Sequence, residues 1–126
     1  MKVLFHFARI SLYTQTSNNM YYMYYIFQGD ICKWRISATN GEKIILNVTH
    51  LDIPASHGCH SDFLEIRDGY WHRSELLVRL CGNLIPNEPI ISSGSRLLLT
   101  YKTSEHSPIH TGFVAAYEGK YYISSG

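Results

Sequence analysis

From Cys32 to Tyr117 apolar and polar residues alternate in short runs, with a period of two rather than 3.6. Cys32, Trp34 and Ile36 alternate with Lys33 and Arg35 before Thr39-Asn40-Gly41 supplies a turn. In the next run Ile44, Leu46 and Val48 share one side and Ile45 and Asn47 the other, until the stretch from Pro54 to Gly58 interrupts it. Leu64 and Ile66 alternate with Phe63, Glu65 and Arg67 ahead of the turn dipeptide Asp68-Gly69. Leu76 to Leu80 leads into Cys81-Gly82, a loop follows from Pro86 to Pro89, and Ile90-Ile91 is a brief apolar run. Leu97, Leu99 and Tyr101 make another alternating face, and Phe113, Ala115 and Tyr117 the last. Short strands separated by Gly, Pro, Asn and Ser, with no helical window, predict an all-β sandwich of mostly antiparallel strands.

Residues 1–31 read differently. MKVLFHFARI opens like a signal peptide, but Arg9 cuts the apolar run and no small-residue cleavage site precedes the polar stretch Thr14 to Asn19. The second apolar patch, Met20 to Phe27, has eight residues, against the roughly 20 that cross a bilayer, so no membrane span is expected. Three readings compete: a weak signal or anchor, a strand added to the following domain, or a fragment boundary foreign to it. The last is favoured, because the patch has neither strand nor helix periodicity and so no single face to bury.

At 126 residues the chain has room for one domain, and 45% hydrophobic with 17% charged residues indicates a folded core rather than disorder. A formal charge of +1 shows no basic excess, so nucleic acid is not an expected partner. Three cysteines are an odd number for a disulfide-held domain.

Cys59 and Cys81 each sit at a strand boundary beside a glycine, Gly58 and Gly82. A disulfide between them closes a loop of roughly 20 residues, worth about 3 kcal/mol in a chain-entropy estimate. Zinc is the competing reading, with His57 and His60 flanking Cys59 and His106 and His110 further on, but zinc sites usually offer paired ligands such as Cys-x2-Cys, and no such cysteine pair exists here. Asn47-Val48-Thr49 is a glycosylation sequon whose strand phase places Asn47 opposite the apolar side. Catalytic signatures are lacking: there is no His-Glu-x-x-His, Gly-x-Ser-x-Gly or phosphate loop, and no cofactor motif. Asp62, Glu65 and Asp68 lie close together, but Glu65 shares a face with Arg67, and a solvated, salt-bridged face is the expectation. Tyr70, Trp71, His72 and Arg73 follow a turn and have the composition of a binding hot spot. The structural alternative, with Trp71 folded back to cap the sandwich end, stands equally open.

The series Cys32-Lys-Trp-Arg-Ile, Gly41-Glu-Lys-Ile-Ile-Leu-Asn, Leu51-Asp-Ile, Cys59-His-Ser-Asp-Phe-Leu-Glu-Ile-Arg-Asp-Gly69, Leu80-Cys-Gly82, Ser95-Arg-Leu-Leu-Leu and Gly112-Phe-Val-Ala-Ala-Tyr117 resembles a CUB domain. It covers residues 32–118, leaving 119–126 as a tail, and within the family is most similar to the CUB domains of tolloid-type astacin metalloproteinases. The resemblance implies a jelly-roll β-sandwich, no catalysis of its own, and a secreted module that binds extracellular or matrix proteins beside a separate protease domain. In the family four cysteines pair first with second and third with fourth. Cys59 and Cys81 fill the last two places and Cys32 the second, and with no cysteine in the first place Cys32 is implied to be unpaired. The N-terminal part of the domain is therefore expected to be missing or replaced, and the chain to be a piece of a tolloid-like protein.

Many CUB domains also bind calcium, through three carboxylates. The matching positions are Pro54, Asp62 and Ser104, with Glu105 one residue beyond the last. One ligand of three survives, so no tight calcium site is expected. Two other functional readings remain in view: a glycan-binding module like the CUB adhesins of seminal plasma, and an inert remnant whose exposed sheet edge and free thiol favour aggregation.

Overall fold

The structure is a computed structural model that describes the backbone of residues 2–7, 10–14, 22–26, 31–104 and 110–121, and the side chains of 31–104 and 110–121. Its strands are β1 (Lys2–Phe7), β2 (Ile10–Thr14), β3 (Tyr22–Ile26), β4 (Ile31–Ser37), β5 (Lys43–Asp52), β6 (Phe63–Asp68), β7 (Glu75–Leu80), β8 (Ile90–Ile91), β9 (Arg96–Lys102) and β10 (Gly112–Lys120). Among the described residues the one helical element is a 3-10 turn, His57–Cys59. The strands form two five-stranded sheets, ordered β2-β1-β10-β5-β8 and β3-β4-β9-β6-β7, and every pairing is antiparallel. This is the expected all-β sandwich.

Alternation decides which residues the two sheets bury between them. β4 contributes Cys32, Trp34 and Ile36, and β9 contributes Leu97, Leu99 and Tyr101. β5 and β10 answer from the other sheet with Ile44, Leu46, Val48, Phe113, Ala115 and Tyr117. Trp34 packs edge-on against Phe113 across the sandwich, with ring centroids 5.5 Å apart, and Tyr101 lies 5.6 Å from the same ring. The Cys32 thiol is buried in this core.

The sandwich is tied at one end. Ile53, just after β5, and Gly82, just after β7, exchange both backbone hydrogen bonds, at 3.0 and 2.8 Å, and so bridge the two sheets. The Cys59–Cys81 disulfide lies beside this bridge, with the two Cα atoms 5.6 Å apart.

Three features depart from the sequence pattern. The patch from Met20 to Phe27 offered no single face to bury and residues 1–31 were set apart from the domain, yet β3 pairs with β4 and β1 with β10. Strand addition satisfies the N–H and C=O groups along a sheet edge through the backbone alone, so it needs no side-chain alternation. β10 runs on to Lys120, opposite Lys43, beyond the expected limit at residue 118. Leu98 lies outside the main core cluster but is only 2% exposed; the register sets it between Arg35 and Arg67, whose side chains reach the β6–β7 connection.

Candidate interaction surface

The connection from Gly69 to Ser74 lies over the outer face of the β3-β4-β9-β6-β7 sheet. Two internal bonds close it: Ser74 N donates to the Trp71 carbonyl at 2.9 Å, and Trp71 N donates to Ser74 Oγ at 3.2 Å. Two arginines from the sheet pin it down, Arg35 Nε donating to the Tyr70 carbonyl at 3.0 Å and Arg67 Nη1 to the Ser74 carbonyl at 2.9 Å. Arg96 stacks over the Tyr70 ring at 4.8 Å, and Arg35 lies 5.8 Å from the Trp71 ring. Tyr70 is half-buried, while Trp71 is 66% exposed and His72 and Arg73 are exposed too. Trp71 does not cap the sandwich; the turn is held by its backbone and by Tyr70, which leaves the indole outside.

The three clustered carboxylates have separate surroundings. Glu65 is buried rather than solvated, lying between Arg67 Nη2 at 3.5 Å and Arg79. Arg79 spans to it from β7, where the register sets the two residues opposite each other, and covers it while stacking over Phe63 at 4.8 Å. Asp68 accepts a hydrogen bond from Ser93 N at 3.0 Å. Asp62, 2% exposed, accepts from Ser104 Oγ at 2.7 Å, Ser104 N at 2.9 Å and Thr103 Oγ1 at 3.1 Å.

At the three positions matching the family's calcium ligands, Pro54 therefore brings no carboxylate, and both Asp62 oxygens take hydrogen bonds, two of them from Ser104 itself. Glu105 and His106 lie outside the described residues.

His57 and His60 are exposed around the 3-10 turn, beside a Cys59 sulfur committed to the disulfide. Asn47 is exposed on the outer side of β5, and Thr49 Oγ1 approaches the Val114 carbonyl at 3.4 Å. An open recess of about 210 Å³, which no motif announces, is lined by Asp52, Ile53, Ala55, Gly82, Asn83 and His110. Beside it Asp52 Oδ2 accepts from Thr111 N at 2.9 Å and Thr111 Oγ1 at 3.0 Å. That backbone bond, helped by the hydroxyl and by nearby His110 and His50, holds the Asp52 carboxyl below its ordinary value of 3.8 against an opposing effect of burial. The partners are 59 residues apart in sequence, so no local motif could announce them.

The family profile of the CUB domain matches residues 7–117. The chain belongs to the CUB family. The match begins well before Cys32, so it includes part of the segment that the sequence pattern set apart. Over 87 residues, 69% of the chain, this CUB domain is 48% identical to the dorsal-ventral patterning protein tolloid of Drosophila melanogaster and 49% identical to human tolloid-like protein 2. It is 48% identical over the same length to bone morphogenetic protein 1 of Xenopus laevis. The aligned part spans 8% of each of the first two proteins and 12% of the third. The CUB1-EGF-CUB2 structure of human MASP-1/3 superposes with a TM-score of 0.64 at 20% identity, over 81% of this chain and 42% of that one, which shows a shared fold.

Proposed function

We propose that this CUB domain is a non-catalytic extracellular module that binds a protein partner, with Tyr70, Trp71, His72 and Arg73 at the contact. The observation that carries this is Trp71: 66% exposed, on a turn anchored by Arg35, Arg67 and Arg96. A large aromatic on a fixed turn gains contact area on binding with little ordering cost, the usual property of a hot-spot residue. The disulfide and the exposed sequon at Asn47 support an oxidising, extracellular setting. Tolloid-like relatives support extracellular or matrix proteins as the partner class.

Surface plasmon resonance against extracellular substrates of tolloid-type proteinases tests this. Trp71→Ala is expected to weaken binding about 30-fold, as for a hot-spot truncation of about 2 kcal/mol, with the melting temperature unchanged. Equal affinity of the two proteins would sink the assignment, and specific signals on a glycan array would move it to a sugar ligand. On the same reading calcium is dispensable, because Ser104 and Thr103 donors occupy Asp62. Melting curves in millimolar calcium and in EDTA should coincide; a calcium-dependent rise of several degrees would reverse this.

A further inference from the structure

Sequence alternation puts basic residues on one face of one sheet. The outward positions of β4, β6, β7 and β9 include Lys33, Arg35, Arg67, Arg79, Arg96 and Lys102, six of the chain's eleven lysines and arginines. The register arranges them in rows: Lys102 beside Phe63; Lys33, Thr100, Glu65 and Arg79; Arg35, Leu98, Arg67 and Leu76; and Arg96 opposite Ser37. At about 4.8 Å between strands and about 6.8 Å per two residues, the array covers about 14 by 20 Å. Among the described residues Glu65 is the one carboxylate in those rows, and it is buried between Arg67 and Arg79. β3, the strand beyond β4, has no charged residue in its sequence Tyr22–Ile26. Asp68 and Glu75 meet at the end of the β6–β7 pair, where Asp68 is engaged by Ser93 N. The cations are pre-positioned on aromatic rings: Arg79 and Lys102 on Phe63, and Arg96 on Tyr70.

We infer that this sheet face, together with the neighbouring Trp71 turn, is a docking surface for an acidic protein segment that carries an apolar anchor. The inference rests on the protein-binding role proposed above and names the chemistry of its partner. Two features point to an acidic polypeptide. Arg96 of the array and Arg73 of the turn are exposed, and their planar forks match carboxylates bidentately, while Arg35, Arg67 and Arg79, bonded to the turn and to Glu65, add positive field beneath them. The array is flanked by exposed apolar groups, Trp71 at 66% and Leu76 at 40%, which give a partner's apolar side chain a contact that a sulfated polysaccharide has no group to use.

The test uses the full chain and three probes: a fluorescent 12-residue Glu/Asp peptide with a central Phe, its Gln/Asn counterpart, and a heparin oligosaccharide. The acidic peptide is expected to bind at least tenfold tighter than the neutral one, and to lose at least tenfold in affinity between 50 and 300 mM NaCl. The combined change Lys33→Gln, Arg73→Gln, Arg96→Gln and Lys102→Gln should weaken it by a similar factor, whereas Lys120→Gln, on the other sheet, should leave it unchanged. If the combined variant does not fold, the salt dependence of the unaltered protein decides. Equal binding of acidic and neutral peptides, or tighter binding of heparin than of the acidic peptide, overturns the inference. If Trp71→Ala abolishes binding of a natural substrate that shows no salt dependence, the protein-binding role stands and the acidic partner falls.

Discussion

Asp52 and Asp62 hold the two ends of the segment between β9 and β10 in the same way. Each carboxylate accepts the backbone N–H and the hydroxyl of one residue, Ser104 at one end and Thr111 at the other. Sequence could identify Asp62, because it follows the third cysteine of a recognisable motif, but not its donors, which lie 41 and 42 residues away. For Asp52 the sign of the pH effect follows from its lowered pKa. The stability it contributes is complete above 3.8 and is lost as pH falls from 3.8 through the lower folded value. Acid titration of urea midpoints should therefore show a shallower decline below that pH for Asp52→Asn than for the unaltered chain; parallel curves would show that Thr111 does not hold the charge. In the core, Trp34→Ala removes a fully buried indole from its contact with Phe113 and is expected to cost about 3–5 kcal/mol in chemical denaturation.

Strands from Cys32 onward were legible in outline wherever an apolar side alternates with a polar one, so that Ile44, Leu46 and Val48, or Leu97, Leu99 and Tyr101, reveal their phase directly. The turn between β6 and β7 was legible only at its start. Asp68-Gly69 opens it, but the chain goes on to Ser74 and is bonded by Arg35 and Arg67, the two residues that flank Leu98, a buried apolar residue at an outward position that alternation alone assigns to solvent. Burial of Glu65 escaped for the same reason, since it depends on arginine side chains reaching in from neighbouring positions. Gly69 sets the course of this turn: its φ is +138°, and an added Cβ would meet Ser74 Oγ at 2.5 Å. Gly69→Ala is expected to destabilise the domain by about 1–3 kcal/mol, measured by urea unfolding, and to loosen the Arg67 and Arg35 bonds to the turn. A change below 0.3 kcal/mol would mean that the turn adapts freely.

For the molecule as a whole, a net charge of +1 concealed the grouping of its charges, because composition sums over faces that the fold separates. The cysteine count was more informative: placed on the family pattern, it led to the Cys59–Cys81 pair that the structure contains. Replacing both cysteines with serine should cost about 3 kcal/mol, from the freed loop, in a urea titration. The neighbouring bridge between Ile53 and Gly82 adds a kinetic consequence. Both residues stand outside the strands, where amide protons ordinarily exchange quickly, yet each N–H donates to the other residue's carbonyl across the seam of the two sheets. While the disulfide holds that seam, these two protons can exchange only when the sheets part, so they keep time with global opening. After reduction they should be among the first to exchange, and their rates would then measure how far the two halves separate while each sheet stays intact.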